Sequence, residues 1–328
     1  MKSRLRLLFL LSVGALVFSP FVGSRPISPT DVFSWAWASG EGTGGARIFW
    51  ELRLPRVLLA WFCGAILGLC GMIFQALFRN PLAEPTMLGV ASGASFGAAL
   101  CIYMGWNFSL FGLSGISVCA FFGALGCVLA LQGAAGLRAR EGSTLLLSGV
   151  AFNFFFSSLV MILQYMGTYS DSFRLLRWTL GGIQAIRLGE ALRAAPVFLL
   201  AAGVSFAFAR ELDLLLCGPE LAVARGVELA RARALLFHAV SFSVALSVAF
   251  CGPVAFVGLV VPHICRLVTG PSHRELAAAS ILFGGAFLTL CDTASRTLWA
   301  PMELPVGILT SFLGAPFFLW LLLRREKS

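Results

Sequence analysis

Apolar runs of membrane-crossing length alternate along this chain with short polar breaks. Ten runs fall at 7–22, 57–78, 87–104, 114–136, 145–166, 191–209, 234–251, 254–268, 277–295 and 305–323. A helix needs about 20 apolar residues to span hydrocarbon, and lipid offers backbone groups no hydrogen-bond partner, so each run is predicted to be a helix. The predicted fold class is all-α: a polytopic membrane protein of about ten transmembrane helices. The 35 glycines suit close packing between such helices.

Composition agrees with that pattern. Charged residues make up 12% and hydrophobic residues 59%, with a mean hydropathy of +0.90, whereas an ordinary soluble domain is roughly 25% charged. Residues 1–328 are read as one transmembrane domain. The first run follows Lys2, Arg4 and Arg6 as a secretory signal would, but nine further runs favour an uncleaved first helix. Ten crossings put both termini on one face. That face holds 15 of the 24 Lys and Arg residues and the opposite face 9, so the first is cytoplasmic by the positive-inside rule. The net charge of +9 reflects topology and anionic lipid, and no nucleic-acid partner is expected. The nine cysteines contain no C-x-x-C pair and all but Cys217 fall in or beside apolar runs, where they read as small packing residues. No metal site or cofactor is expected.

The polar breaks carry the candidate sites. In "RNPLAEPTMLGVASGAS" (79–95), Arg79 and Asn80 end a helix, Pro81 and Pro85 prevent its continuation, and Gly89, Gly93 and Gly97 then form a packing ridge. In "RLPR" (53–56), Pro55 opens the second helix. Arg53 and Arg56 there oppose the macrodipole, which suggests either an external anionic partner or lipid headgroups. Arg296 ends the ninth helix four residues after Asp292, so an internal pair competes with an outward role. Residues 210–233 read as two short amphipathic helices split near Gly226, suited to docking a soluble partner or to lying at the lipid interface. Pro253 and Pro262 interrupt the short eighth crossing, a feature tolerated where protein or a water-filled cavity covers the backbone. No nucleotide loop, metalloprotease motif or nucleophile–base pair is present, so enzymatic activity is not expected and any ATP hydrolysis belongs to another chain.

"RLPRVLLAWFCGAILGLCGMIFQALFRNPLAEPTMLGVASGAS", "LLLSGVAFN", "RWTLGGI", "GPVAFVGLVVPHICRLVTGPSHR" and "ELPVGILTSFLGAPFFLWLLL" together resemble the permease family of binding-protein-dependent ABC importers for iron-siderophores, haem and vitamin B12. The likeness runs in order from about residue 50 to 323. It implies a permease homodimer in a bacterial cytoplasmic (inner) membrane, two cytoplasmic ATPase subunits, a periplasmic substrate-binding protein, and a metal-chelate substrate: ferric siderophore first, haem and cobalamin next. It implies docking of the binding protein at Arg53, Arg56 and Arg296, and a cytoplasmic gate at Asn80, Leu82, Gly142 and Ser143. It also implies coupling helices within 210–233 that meet the ATPase around Gly218, Glu220, Ala222 and Gly226. Pro219 and Arg225 depart from the family's usual residues there. The alternative is a secondary transporter driven by an ion gradient, which requires intramembrane carboxylates; Asp292 is the one acidic residue inside a predicted crossing.

Overall fold

A computed structural model describes residues 2–23, 25–30, 32, 44–135, 142–183 and 187–325 of the chain. The helices run α1 (Lys2–Phe18), α2 (Leu54–Leu77), α3 (Val90–Tyr103), α4 (Gly115–Ala135), α5 (Gly142–Met166), α6 (Tyr169–Thr179), α7 (Ala194–Ala207), α8 (Ala209–Cys217), α9 (Pro219–Ala224), α10 (Leu229–Cys251), α11 (Val257–Thr269), α12 (His273–Thr297) and α13 (Val306–Arg325). Each of the ten expected crossings is therefore a helix, eight of them long and apolar enough to span, with α3 and α11 the shorter apolar two.

Helix α2 is the centre of the bundle. Its neighbours are α12, α11, α10 and α7, and from Cys63 to Ala76 every residue is buried. Glycine sets these distances. A Cβ on Gly64 would overlap the Gly284 carbonyl of α12, and one on Gly71 the Gly258 carbonyl of α11, so backbones meet where any side chain would hold them apart. Helices α3 and α4 meet the same way, Gly93 against Gly123 and Gly97 against the Cys119 carbonyl. Helix α1 lies along α12, pinned by Arg4 donating to the Val268 carbonyl at 2.8 Å and by Trp61 donating to Ser12 at 2.8 Å.

The break before α11 is covered by protein, as interrupted membrane helices require. Gly252 and Phe256 take positive φ (68° and 67°). The Gly182 N–H donates to the Cys251 carbonyl at 2.9 Å, and Gly181 and Gly307 leave room for the Pro253 carbonyl.

Three expectations need correction. Helix α2 does begin within "RLPR", with Pro55 in its first turn, but not freely: Gly44–Arg47 and a π-turn over Ile48–Arg53 run straight into it. Arg53 and Arg56 therefore do not sit at a free helix N-terminus. The amphipathic segment splits at Gly218 (φ 123°), with Pro219 opening α9, while Gly226 (φ 83°) terminates it. There the N–H of Gly226 reaches the Val223 carbonyl and that of Val227 the Ala222 carbonyl, the Schellman closure for which glycine is favoured. Finally, α6 is an additional amphipathic helix, begun by a capping box in which Thr168 and Asp171 satisfy each other's backbone N–H.

Candidate functional site

Polar residues converge at three places: the turn between α2 and α3, the α8–α9 pair, and the far ends of α2 and α12.

The first two lie on the face that holds the N-terminus. In the α2–α3 turn, Arg79 adopts a positive φ of 49°. The Asn80 N–H donates to the Gln75 carbonyl at 3.1 Å and its side-chain oxygen accepts from the Leu82 N–H at 3.0 Å. Asn80 thus spends its side chain on the turn itself and presents a half-buried Leu82 beside it. Glu84 follows, buried. Burial pushes its carboxyl up to about 7, against opposing hydrogen bonds from the Phe256 N–H and the Thr86 hydroxyl, and its Oε1 has no partner among the described residues. The turn is thereby keyed to the break before α11. Of the other two residues expected at a gate, Gly142 and Ser143 open α5; their side chains lie outside the described residues.

Helices α8 and α9 are in contact, with Leu212, Leu215 and Ala222 buried and Leu216, Leu221 and Val223 exposed. Glu220 is exposed in the first turn of α9. A cleft of about 390 Å³ opens beside the pair, lined by Arg210, Glu211, Arg225, Glu228 and Arg231 with apolar walls. The pair is tied to the bundle by a contact that sequence reasoning missed. Asp213 of α8 accepts from the backbone N–H of His273 at 2.9 Å and lies 2.6 Å from its Nδ1. A carboxylate from one helix thus caps the N-terminus of another, where the macrodipole favours negative charge. Nothing local in the sequence marks partners 60 positions apart. Arg266 and Gln75 form a second unforeseen tie, with Arg266 donating to Gln75 Oε1 at 3.1 Å.

On the far face, the three arginines expected to dock a partner are turned inward. Arg53 is 7% exposed and donates to the carbonyls of Pro20, Phe21 and Arg25, holding down the segment that follows α1. Arg56 and Arg296 converge on Asp292, which has no exposed surface: Arg56 Nη2 is 3.0 Å from Oδ1 and Arg296 Nε 3.1 Å from Oδ2. Arg56 also pairs at 2.7 Å with Glu303, half of whose side chain is exposed. The internal Asp292–Arg296 pair is therefore real, and it is shared. The mismatch with a helix dipole that suggested an outside anion is resolved inside the molecule, by the helical turns that run into α2, by carbonyls and by two carboxylates.

Comparison with known proteins places this architecture. The sequence profile of the FecCD transport family matches residues 8–324. The cobalamin import system permease BtuC of Halobacterium salinarum is 39% identical, over 84% of this chain and 73% of its own. The hemin transport system permease HmuU of Yersinia pestis is 36% identical, over 90% and 89%. A solved structure assigned to the metal-chelate type of ABC transporter, in an inward-facing conformation, superposes with a TM-score of 0.82 at 30% identity, covering 98% of both chains.

Proposed function

The chain belongs to the FecCD transport family, and from that premise we propose that it is the permease subunit of an ATP-driven importer that carries a metal chelate across a bacterial inner membrane, working as a homodimer with two ATPase subunits and an extracytoplasmic substrate-binding protein. It is a multi-pass membrane transport protein, not an enzyme. The observation that carries the finer reading is the α8–α9 pair: two short helices with an apolar outer edge, fixed to the bundle on the face with the N-terminus. A soluble ATPase docked there can bias the bundle between states, because its binding energy differs between them. The α2–α3 turn, with Asn80 and Leu82, and the start of α5 form the gate in this scheme.

Ferric siderophore, haem and cobalamin share the demands of a bulky metal chelate, and the relatives named above carry haem and cobalamin. The ion-gradient alternative finds no support: Asp292, the carboxylate it would use, is neutralised by two guanidiniums. Reconstitution into liposomes with the cognate ATPase and binding protein tests the proposal. ATP-dependent uptake of one of the three chelates is expected. Uptake by the chain alone under an ion gradient overturns it.

A further inference from the structure

We propose that the cleft beside α8 and α9 binds one phosphatidylethanolamine of the surrounding membrane, its phosphate held by Arg210 and Arg225 and its ammonium by Glu211. The site rests on the chain's membrane placement and not on the importer reading, so either can fail without the other. Two spanning segments, Leu188–Ala207 and Leu229–Cys251, reach the cleft: Phe208 and Arg210 enter it just past α7, and Arg231, Ala232 and Leu235 from the first turns of α10. Helices α7 and α10 are neighbours. Leu235 is exposed, and so is Phe242 two turns deeper on the same face of α10; α7 exposes Leu199 and Phe206 at the same spacing. Each helix thus offers acyl chains an apolar stripe that ends at an arginine, Arg231 on α10 and Arg210 beyond α7. The volume of about 390 Å³ is that of a small-molecule site.

The headgroup follows from what the cleft leaves unpaired. Glu228 and Arg231 pair with each other at 3.7 Å. The guanidiniums of Arg210 and Arg225 make no hydrogen bond or ion pair among the described residues. Glu211 Oε2 is shut off from solvent and has no partner there either. A buried carboxylate oxygen without a donor is costly, and a bound ammonium brings three donors. Two free cations and one free carboxylate therefore complement a zwitterion, a phosphate diester for the arginines and a primary ammonium for Glu211. The first turn of α10, which lines the same cleft, adds backbone N–H groups and the positive end of its dipole on the phosphate's side.

Other occupants match less of this set. Phosphatidylglycerol carries the phosphate but offers Glu211 only a neutral hydroxyl, and the methylated ammonium of phosphatidylcholine has no N–H to donate. An acidic side chain of a docked ATPase would meet the arginines and leave Glu211 facing a second carboxylate. Phosphatidylethanolamine satisfies all three groups and joins α8, the Arg225 turn and α10 through one molecule, so its binding stabilises their arrangement by mass action.

The test uses the full-length chain in detergent, stripped of lipid and then given equal amounts of dioleoyl phosphatidylethanolamine and dioleoyl phosphatidylglycerol, with retained lipid read by native mass spectrometry. One phosphatidylethanolamine is expected to be retained in about tenfold preference, the worth of one charge-assisted hydrogen bond. Glu211→Gln, of the same shape, should abolish the preference while keeping a monodisperse gel-filtration peak, and Arg210→Ala with Arg225→Ala should weaken retention of both lipids. Melting temperature should rise with phosphatidylethanolamine and not with soluble phosphoethanolamine. Equal retention of the two lipids, or a preference that survives Glu211→Gln, overturns the site. An equal rise with phosphoethanolamine overturns the lipid as its source. Loss of ATPase co-purification in Arg225→Ala with lipid retention unchanged gives the arginines to the ATPase and overturns the proposal as well.

Discussion

Two guanidiniums share one carboxylate at Asp292, and that residue has no contact with water. Removing one member of a buried ionic cluster leaves its partners desolvated and uncompensated, a loss of ~3–5 kcal/mol, whereas a half-exposed pair contributes only ~0–1 kcal/mol. Asp292→Asn should therefore lower the melting temperature and folded yield in detergent far more than Glu303→Gln. Equal shifts would show that the cluster is not structural. Glu84 gives a different signature. Its carboxyl is raised by burial from 4.5 to about 7, so the fold favours the neutral acid: that contribution is complete below pH 4.5 and is lost as the pH rises through 7. Melting curves should fall across that window for the native chain and run flatter for Glu84→Gln. The two should coincide near pH 4.5 and differ by on the order of 3 kcal/mol at pH 8. A native curve already flat from pH 4.5 to 8 would contradict the assignment.

Elements differ in how openly the sequence announces them. Crossings were legible because lipid applies one ruler to all of them, and the α2–α3 turn because two prolines and a glycine ridge leave few alternatives. Helix α6 was missed: it is short and amphipathic, yet Thr168 and Asp171 spell its capping box. Gly218 followed by Pro219 marked the true break between α8 and α9, while Gly226 drew attention as the stronger breaker and proved to be a terminus. No local signal could have shown that Asp213 caps α12. That contact gives α12 a stay at each end, Asp213 at His273 and the Arg56–Asp292 cluster at Arg296. Asp213→Ala is expected to leave the ATPase bound while reducing the stimulation of ATP hydrolysis by the binding protein, measured in proteoliposomes. Full stimulation would make the contact a local cap only. Ala222→Arg, by contrast, forces a long cation into a buried position of α9 and should cost co-purification of the ATPase at unchanged permease yield; unchanged co-purification would remove the coupling role.

At the scale of the whole molecule, the three far-face arginines expected to dock a partner are engaged within the bundle, and this reshapes what docking at them requires. Arg53 is committed to carbonyls and Arg296 to Asp292, so the group an acidic partner can reach is Arg56 through its bond to Glu303, whose carboxylate is half in water. A docking acid must displace Glu303, and until it does, Glu303 repels it. Complementary charge of this kind acts mainly on encounter and orientation and is screened within about 10 Å at 0.1 M salt. Glu303→Gln should accordingly speed association of the binding protein at low ionic strength, and Arg56→Glu should slow it, with both effects shrinking as salt is added. Arg56→Glu also places a second acid beside Asp292 and destabilises the fold, so Glu303→Gln, which leaves the buried pairs intact, is the cleaner variant. Surface-immobilised permease in nanodiscs gives both rates directly. Association by Glu303→Gln at the native rate in low salt would mean that Arg56, like Arg53 and Arg296, serves the bundle alone and that the partner docks elsewhere on the far face.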